Sequence, residues 1–304
     1  MNKKQGGFTL IELMISMALG IVVIGAILVM YTNGSSAMRY ALAQGQMNED
    51  AQMALSVITQ ELRKAGNNPA RPTGATTTAR NDLGQSGWGI FACDTGFSDN
   101  TVALVSGLTC AAAGANAALA VVSEGDLVSG KNTGANLPMD CIGNGVAVQG
   151  ASVTGGNFFT MQSRFFIANN ALNCIGSGGV VAGSALTIPA QVLAENIESM
   201  SFLFGIGSVA NKRIVQGYLS PSAIALATGD AGFDALTLVQ RWDQVVSARV
   251  CVVIRSENPV LRDVEANPTY RDCNEAEVAI ADGRLRRAYR TTVLLRNHGV
   301  GYAE

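Results

Sequence analysis

Few side chains in this sequence could do chemistry as a set. The single histidine, His298, would have to carry any Ser-His-Asp arrangement, and no G-x-S-x-G elbow accompanies it. Gly143-Asn144-Gly145 and Gly205-Ile206-Gly207 are isolated G-x-G pieces. Without a third glycine or a Walker lysine they read as turns, not phosphate cradles. Asp230 and Asp234 offer two carboxylates, whereas calcium takes about six to eight oxygens. No C-x-x-C occurs, so the usual cysteine-histidine zinc constellations are missing. These residues point to no enzyme, no metal and no cofactor.

Two other kinds of residue remain. The six cysteines, Cys93, Cys110, Cys141, Cys174, Cys251 and Cys273, read as disulfides if the chain beyond the N-terminal span is exported to an oxidising compartment. Six cysteines allow about fifteen pairings. The sequential set, Cys93–Cys110, Cys141–Cys174 and Cys251–Cys273, is expected because each bond closes a local loop. The second kind is one acid, Glu12, the only charged residue between Phe8 and Tyr31. A carboxylate inside a membrane helix costs on the order of 3 kcal/mol, so something must compensate for it. Cleavage after Gly7 would give Phe8 a free α-amino group, a cation about one turn from Glu12 or, in a bundle, facing Glu12 of a neighbouring chain. At about 4 Å and an effective dielectric near 20 such a pair gains roughly 4 kcal/mol before desolvation. A lone membrane helix is penalised by Glu12, and an assembled bundle is not.

The elements around Glu12 follow from hydropathy. As a helix, Phe8 to Tyr31 reaches about 36 Å, enough for a hydrocarbon core of about 30 Å. Lys3 and Lys4 precede it, which keeps the N-terminus cytoplasmic and exports the rest. A secretory signal has a shorter apolar region, about 7–15 residues, free of acid. Beyond the span, Met38, Leu42, Ala51, Leu55, Ile58 and Leu62 fall on roughly one face of a continuing helix. Gly66 and Pro69 end it.

The run Gly7-Phe8-Thr9-Leu10-Ile11-Glu12-Leu13 resembles the class III signal of type IV pilins and type II secretion pseudopilins. The resemblance implies cleavage after Gly7 by a prepilin peptidase, methylation of the new N-terminal Phe8, and a filament-assembly role for Glu12. Major pilins usually carry a helix-kinking proline in the later part of the span. Here none lies between Phe8 and Asn68, which counts against a major pilin. The stretch from Asn48 through Arg63 to Gly66, the segments Ile197–Gly205 with Tyr218, Trp242 with Val246–Arg255, and Tyr289–Asn297 are similar to PilW-type minor pilins. Both ends of the chain are covered and the middle is not.

That resemblance implies an α+β fold, with a long N-terminal helix, its first half membrane-spanning, packed on a C-terminal antiparallel β-sheet domain. The expected divisions are a leader (1–7), the membrane half of the helix (8–31), its amphipathic continuation (32–66), a variable low-charge β and loop region (67–190) and the C-terminal β domain (191–304). The implied role is a minor pilin that helps to prime pilus assembly in a tip complex, with twitching motility, adhesion or DNA uptake downstream. Its partners would be other minor pilins, the major pilin, prepilin peptidase, the inner-membrane assembly machinery and, before assembly, membrane lipid. It would pass once through the inner membrane, N-terminus inside, before moving to a periplasm-facing and cell-surface pilus. The alternatives are a J-type secretion pseudopilin and a pilus-tip adhesin binding through residues 74–183.

Periodicity adds detail. Met200–Phe204 alternates and is expected to pair with Arg213–Tyr218. Val246 to Ile254 has a clean period of two, and Glu277–Ile280 with Arg284–Leu295 reads as a hairpin around Asp282-Gly283. Thr101–Val105 and Ala117–Val122 are candidate strands in the middle region. Ten of the sixteen arginines lie from Arg241 to Arg296, but nine acids share the stretch to the C-terminus. Mutually paired strand faces are therefore expected, not a nucleic-acid footprint.

Overall fold

Helix α1 (Leu10–Lys64) runs for 55 residues, about 83 Å at 1.5 Å per residue. The structure is a computed structural model that describes residues 7, 9–84, 89–114, 116–125, 136–208, 214–226, 228, 230–261 and 268–297. Ala51, Ala54, Ile58 and Leu62 bury one face of α1, and Met47 begins it. Met38 and Leu42, expected on the same stripe, are 65% and 63% exposed. The stripe has the right period but starts two turns later, because the globular part does not extend further down the helix. Gly66 then turns the chain at φ 68°, a left-handed conformation that glycine adopts without steric cost, and its N–H donates to Val122 O at 2.8 Å.

Two short strands follow, β1 (Arg71–Pro72) and β2 (Thr78–Ala79). A six-stranded antiparallel sheet contains β3 (Ile90–Cys93), β4 (Ala118–Glu124), β5 (Val148–Ala151), β6 (Asn157–Ala168), β7 (Ala171–Gly176) and β8 (Gln191–Ala194). Its order is β3-β4-β6-β7-β8, with β5 alongside β6. The expected division at residues 190 and 191 therefore cuts off β8, which belongs to the first sheet through its pairing with β7. Thr101–Val105 is not a strand: Asp99 accepts from the Thr101 N–H and hydroxyl, and a 3-10 turn follows at Val105–Gly107. A polar side chain that satisfies the local backbone competes with a ladder. Arg164, wholly buried on β6, fastens this loop by donating to Asn100 O at 2.7 Å. Burial lowers its pKa to about 10, so it stays charged.

The second sheet holds β9 (Ile197–Gly207), β10 (Val215–Leu219), β11 (Val245–Pro259) and β14 (Arg284–Leu294), in the order β10-β9-β11-β14. Gly205-Ile206-Gly207 lies in β9 and not in a turn. A Cβ on Gly205 would meet the Ser247 hydroxyl and come within 3.2 Å of the Tyr218 ring. The β10 partner is the end of β9, with Tyr218 opposite Gly205 and Leu219 opposite Phe204; Arg213 lies outside the described residues. Between β10 and β11 come α2 (Pro221–Ala225), α3 (Ala231–Asp234) and α4 (Leu238–Asp243). The hairpin expected around Asp282-Gly283 does not form. Instead β12 (Thr269–Arg271) pairs with β13 (Glu277–Ala279), and β14 pairs with β11. The tight turn sits earlier, where Asp272 Oδ1 accepts from the N–H groups of Asn274 and Ala276.

One apolar core joins these parts, drawing on Ile58 and Leu62 of α1, Leu119 and Phe165 of the first sheet, and Phe202, Val250 and Val252 of the second. Trp242 bridges the sheets edge-to-face, 5.6 Å from Phe91 and 5.1 Å from Phe204. Disulfides link Cys93 to Cys110, Cys141 to Cys174 and Cys251 to Cys273. The observed architecture is thus α+β, a long helix against antiparallel sheets.

Candidate filament interface

The N-terminal end of α1 is built differently from the rest of the molecule. Its most apolar 18-residue window has a mean hydropathy of 2.8, and none of that window is buried. Leu13, Met14, Ile21, Val22, Leu28 and Met30 all present more than half of their surface. Burying a side chain of this kind gains about 1.5–3 kcal/mol, so this surface is unfinished until a membrane or other helices cover it. The hydroxyls that follow are satisfied by the helix's own carbonyls. Thr32 donates to Val29 O at 3.1 Å, and Ser35 and Ser36 donate to Thr32 O at 2.9 and 3.1 Å. Such back-bonding satisfies polar groups without outside partners.

Glu12 occupies the first turn, where the helix dipole favours an acid. Its Oε2 accepts from the Thr9 N–H at 3.0 Å and the Thr9 hydroxyl at 2.9 Å, while Thr9 Oγ1 receives the Glu12 N–H at 3.4 Å. This is a reciprocal capping box. Both bonds to the carboxylate use Oε2, leaving Oε1 without a hydrogen bond among the described residues. Glu12 thus has a local partner that the charge argument alone did not supply. The signal was in the sequence as T-x-x-E before an apolar run. Gly7 is exposed just before the cap, whereas Phe8 and His298 lie outside the described residues.

Polar clamps hold the other end of α1. Glu61 is buried, and its carboxylate accepts from Ser163 on β6 at 2.9 Å and from Lys64 at 2.7 Å. Tyr289 of β14 donates to Asn48 at 2.7 Å, and Asn196 donates to Asp50 at 3.0 Å. Asn297 donates its amide to the carbonyls of Arg63 and Ala65, both at 3.2 Å, and so caps the helix from the far end of the chain. Nothing in local sequence spacing marks Glu61, Ser163 or Asn297 as partners. They meet only through the tertiary fold.

The remaining candidates have structural roles. Asp230 Oδ1 caps α3 by accepting from Gly232 and Phe233, and Asp234 accepts from Thr228. Among the described residues no three His, Cys, Asp or Glu side chains are grouped to hold a metal. Many C-terminal arginines are engaged internally: Arg286 with Glu198 and Asp282, Arg290 with Glu275, and Arg241 with carbonyls around α2 and α3.

The chain matches two family models. The one described as Type IV Pilus-assembly protein W covers residues 164–297, from β6 to just past β14. The prokaryotic N-terminal methylation motif covers residues 2–28. No curated protein sequence matches. Among solved structures, the chain is similar to the type IV-like pilin TTHA1219 from Thermus thermophilus at 12% identity and a TM-score of 0.41, covering 84% of this chain and 99% of that one. It is also similar to a chain of the GspK-GspI-GspJ complex from the enterotoxigenic Escherichia coli type 2 secretion system. There the identity is 13% and the TM-score 0.34, over 83% of this chain and 98% of the other. The methylation motif falls on the bare apolar end of α1, and the assembly-protein model falls on the sheets that hold its other end.

Proposed function

We propose that this chain is a PilW-type minor pilin of the type IV pilus that helps to prime pilus assembly within a tip complex of minor pilins, acting as a structural subunit and not as an enzyme. Prepilin peptidase cleaves between Gly7 and Phe8 and methylates the new amino group. The chain then waits in the inner membrane, N-terminus in the cytoplasm, until the assembly machinery extracts it into a filament on the cell surface. Its partners there are other minor pilins and the major pilin. The observation that carries this reading is the uncovered apolar half of α1 beside a domain whose own core is complete. In the filament core, Glu12 faces a neighbour's methylated amine, and Oε1 is the oxygen that can receive it. A pair of that kind is worth roughly 4 kcal/mol before desolvation, comparable with the insertion cost of about 3 kcal/mol.

Mass spectrometry of sheared surface filaments tests the proposal. A peptide beginning at N-methylated Phe8 is the expected result. Recovery of the chain only from the envelope, with Met1 to Gly7 still attached, would rule it out.

A further inference from the structure

The outer face of the second sheet, turned away from α1, carries a groove of about 600 Å³. That volume falls within the range of ligand pockets, about 300–1,000 Å³. Two rows of side chains crossing three strands form its floor: Leu203, Arg249 and Thr292 in one, Ser201, Cys251 and Arg290 in the next. Asp94 borders it on the β10 side. Glu275, in the turn fastened by the Cys251–Cys273 disulfide, borders it on the β14 side.

Two arginines and two acids line this groove, but they are not paired throughout. Arg290 is paired with Glu275 at 2.7 Å. The Arg249 guanidinium lies 3.6 Å from the centroid of the Tyr218 ring and, among the described residues, meets no carboxylate or carbonyl. The Tyr218 hydroxyl is itself held by Ser247, which donates to it at 3.4 Å. Stacking on a fixed ring orients the guanidinium while leaving its N–H fork open, and that fork matches a carboxylate in two-point geometry. A receptor ordered before its ligand arrives loses less entropy on binding.

We infer that this groove receives an acidic segment of a partner protein, with Arg249 as the receptor for an Asp or Glu carboxylate. Among the described residues Arg249 is the one arginine of the groove without an ion pair, and a single open fork suits a single carboxylate. The successive phosphates of a nucleic acid would need more than one open cation, and the other arginine, Arg290, is held by Glu275. Leu203, directly opposite Arg249, and Leu294, two residues beyond its other partner Thr292, are both exposed on the same face. They give a peptide's neighbouring apolar side chains a place to pack.

The test uses the full chain in detergent micelles and a displayed library of random hexapeptides. Selected peptides should carry an acid beside an apolar residue, and Arg249→Gln should weaken the best of them about tenfold. Changing the peptide's acid to its amide should cost as much on the wild-type chain and nothing further on R249Q, which isolates the pair. An unchanged thermal unfolding midpoint shows that the exposed substitution left the fold intact. Selection of peptides without an acid, binding indifferent to Arg249→Gln, or tighter binding of a single-stranded oligonucleotide than of the selected peptide would each overturn the inference. None of these outcomes depends on processing or filament incorporation, so failure here leaves the assembly proposal standing.

Discussion

The two ends of α1 are one continuous helix and yet obey different rules. From Met47 to Leu62 the helix is a core element, with small and branched residues at three- and four-residue spacings pressed onto both sheets. From Leu10 to Tyr31 it is more hydrophobic and has no buried residue. Hydrophobicity therefore does not decide what this chain buries by itself; the availability of a partner surface does. The upper half finds that surface within its own chain, and the lower half must find it outside the chain.

The largest effect that separates the halves is truncation of an apolar side chain. Leu62→Ala, at a fully buried position, should destabilise the globular part by about 2–5 kcal/mol. Leu28→Ala, exposed on the lower half, should change it by less than about 0.5 kcal/mol. Denaturant unfolding in detergent, followed by tryptophan fluorescence, reads both. Similar losses from the two would break the distinction.

The caps give a finer comparison. Asn297→Ala removes donors from the last carbonyls of α1 and should cost about 1 kcal/mol of domain stability. Thr9→Ala removes the capping box at the other end. Local helix stability there should fall by about 1 kcal/mol, with the domain's unfolding midpoint unchanged. Hydrogen exchange at the first turn, measured beside the domain midpoint, separates the two losses.

Much of this division was legible in the residues. The absence of proline before Pro69, the long apolar run and the single Glu12 specify the lower helix, because length and hydropathy are local properties. The period-two run at Val246–Ile254 specifies β11 for the same reason. What local reading missed was partner choice. Arg284–Leu294 alternates convincingly, but its neighbour is β11, whose paired residues lie 25 (Pro259 with Arg284) to 47 (Ser247 with Leu294) positions back, and not the adjacent Glu277–Ala279. Asp272 closes a turn that competes with Asp282-Gly283, and the Cys251–Cys273 bond holds that turn against β11. Met38 and Leu42 show the same limit: the stripe was visible, but where its covering surface ends is decided by the sheets. In the interface, Glu12 could be read from its isolation, whereas Glu61 needs Ser163, which is 102 residues away.

The smallest effect concerns pH, and it bears on the domain-held half alone. Arg286 donates to Asp282 and to Glu198, joining the start of β14 to β9. The hydrogen bonds from Arg286 hold the Asp282 carboxyl far below its ordinary value, with the backbone N–H of Arg284 adding to the effect. A carboxyl depressed in the folded state contributes its full stability above its unfolded pKa of about 3.9 and loses it as pH falls towards the folded value. Wild type should thus be more stable than Asp282→Asn at pH 6, and the gap should shrink steadily below about pH 4. Asp282 is 39% exposed, so solvent screening keeps the gap under about 1 kcal/mol. Unfolding midpoints of both proteins from pH 6 to pH 3 measure it. A gap that widens in acid would mean that Asp282 acts through something other than Arg286. Helicity that survives in the micelle-bound lower half of α1 while the domain weakens in acid would sharpen the contrast, because only the upper half is linked to that ion pair.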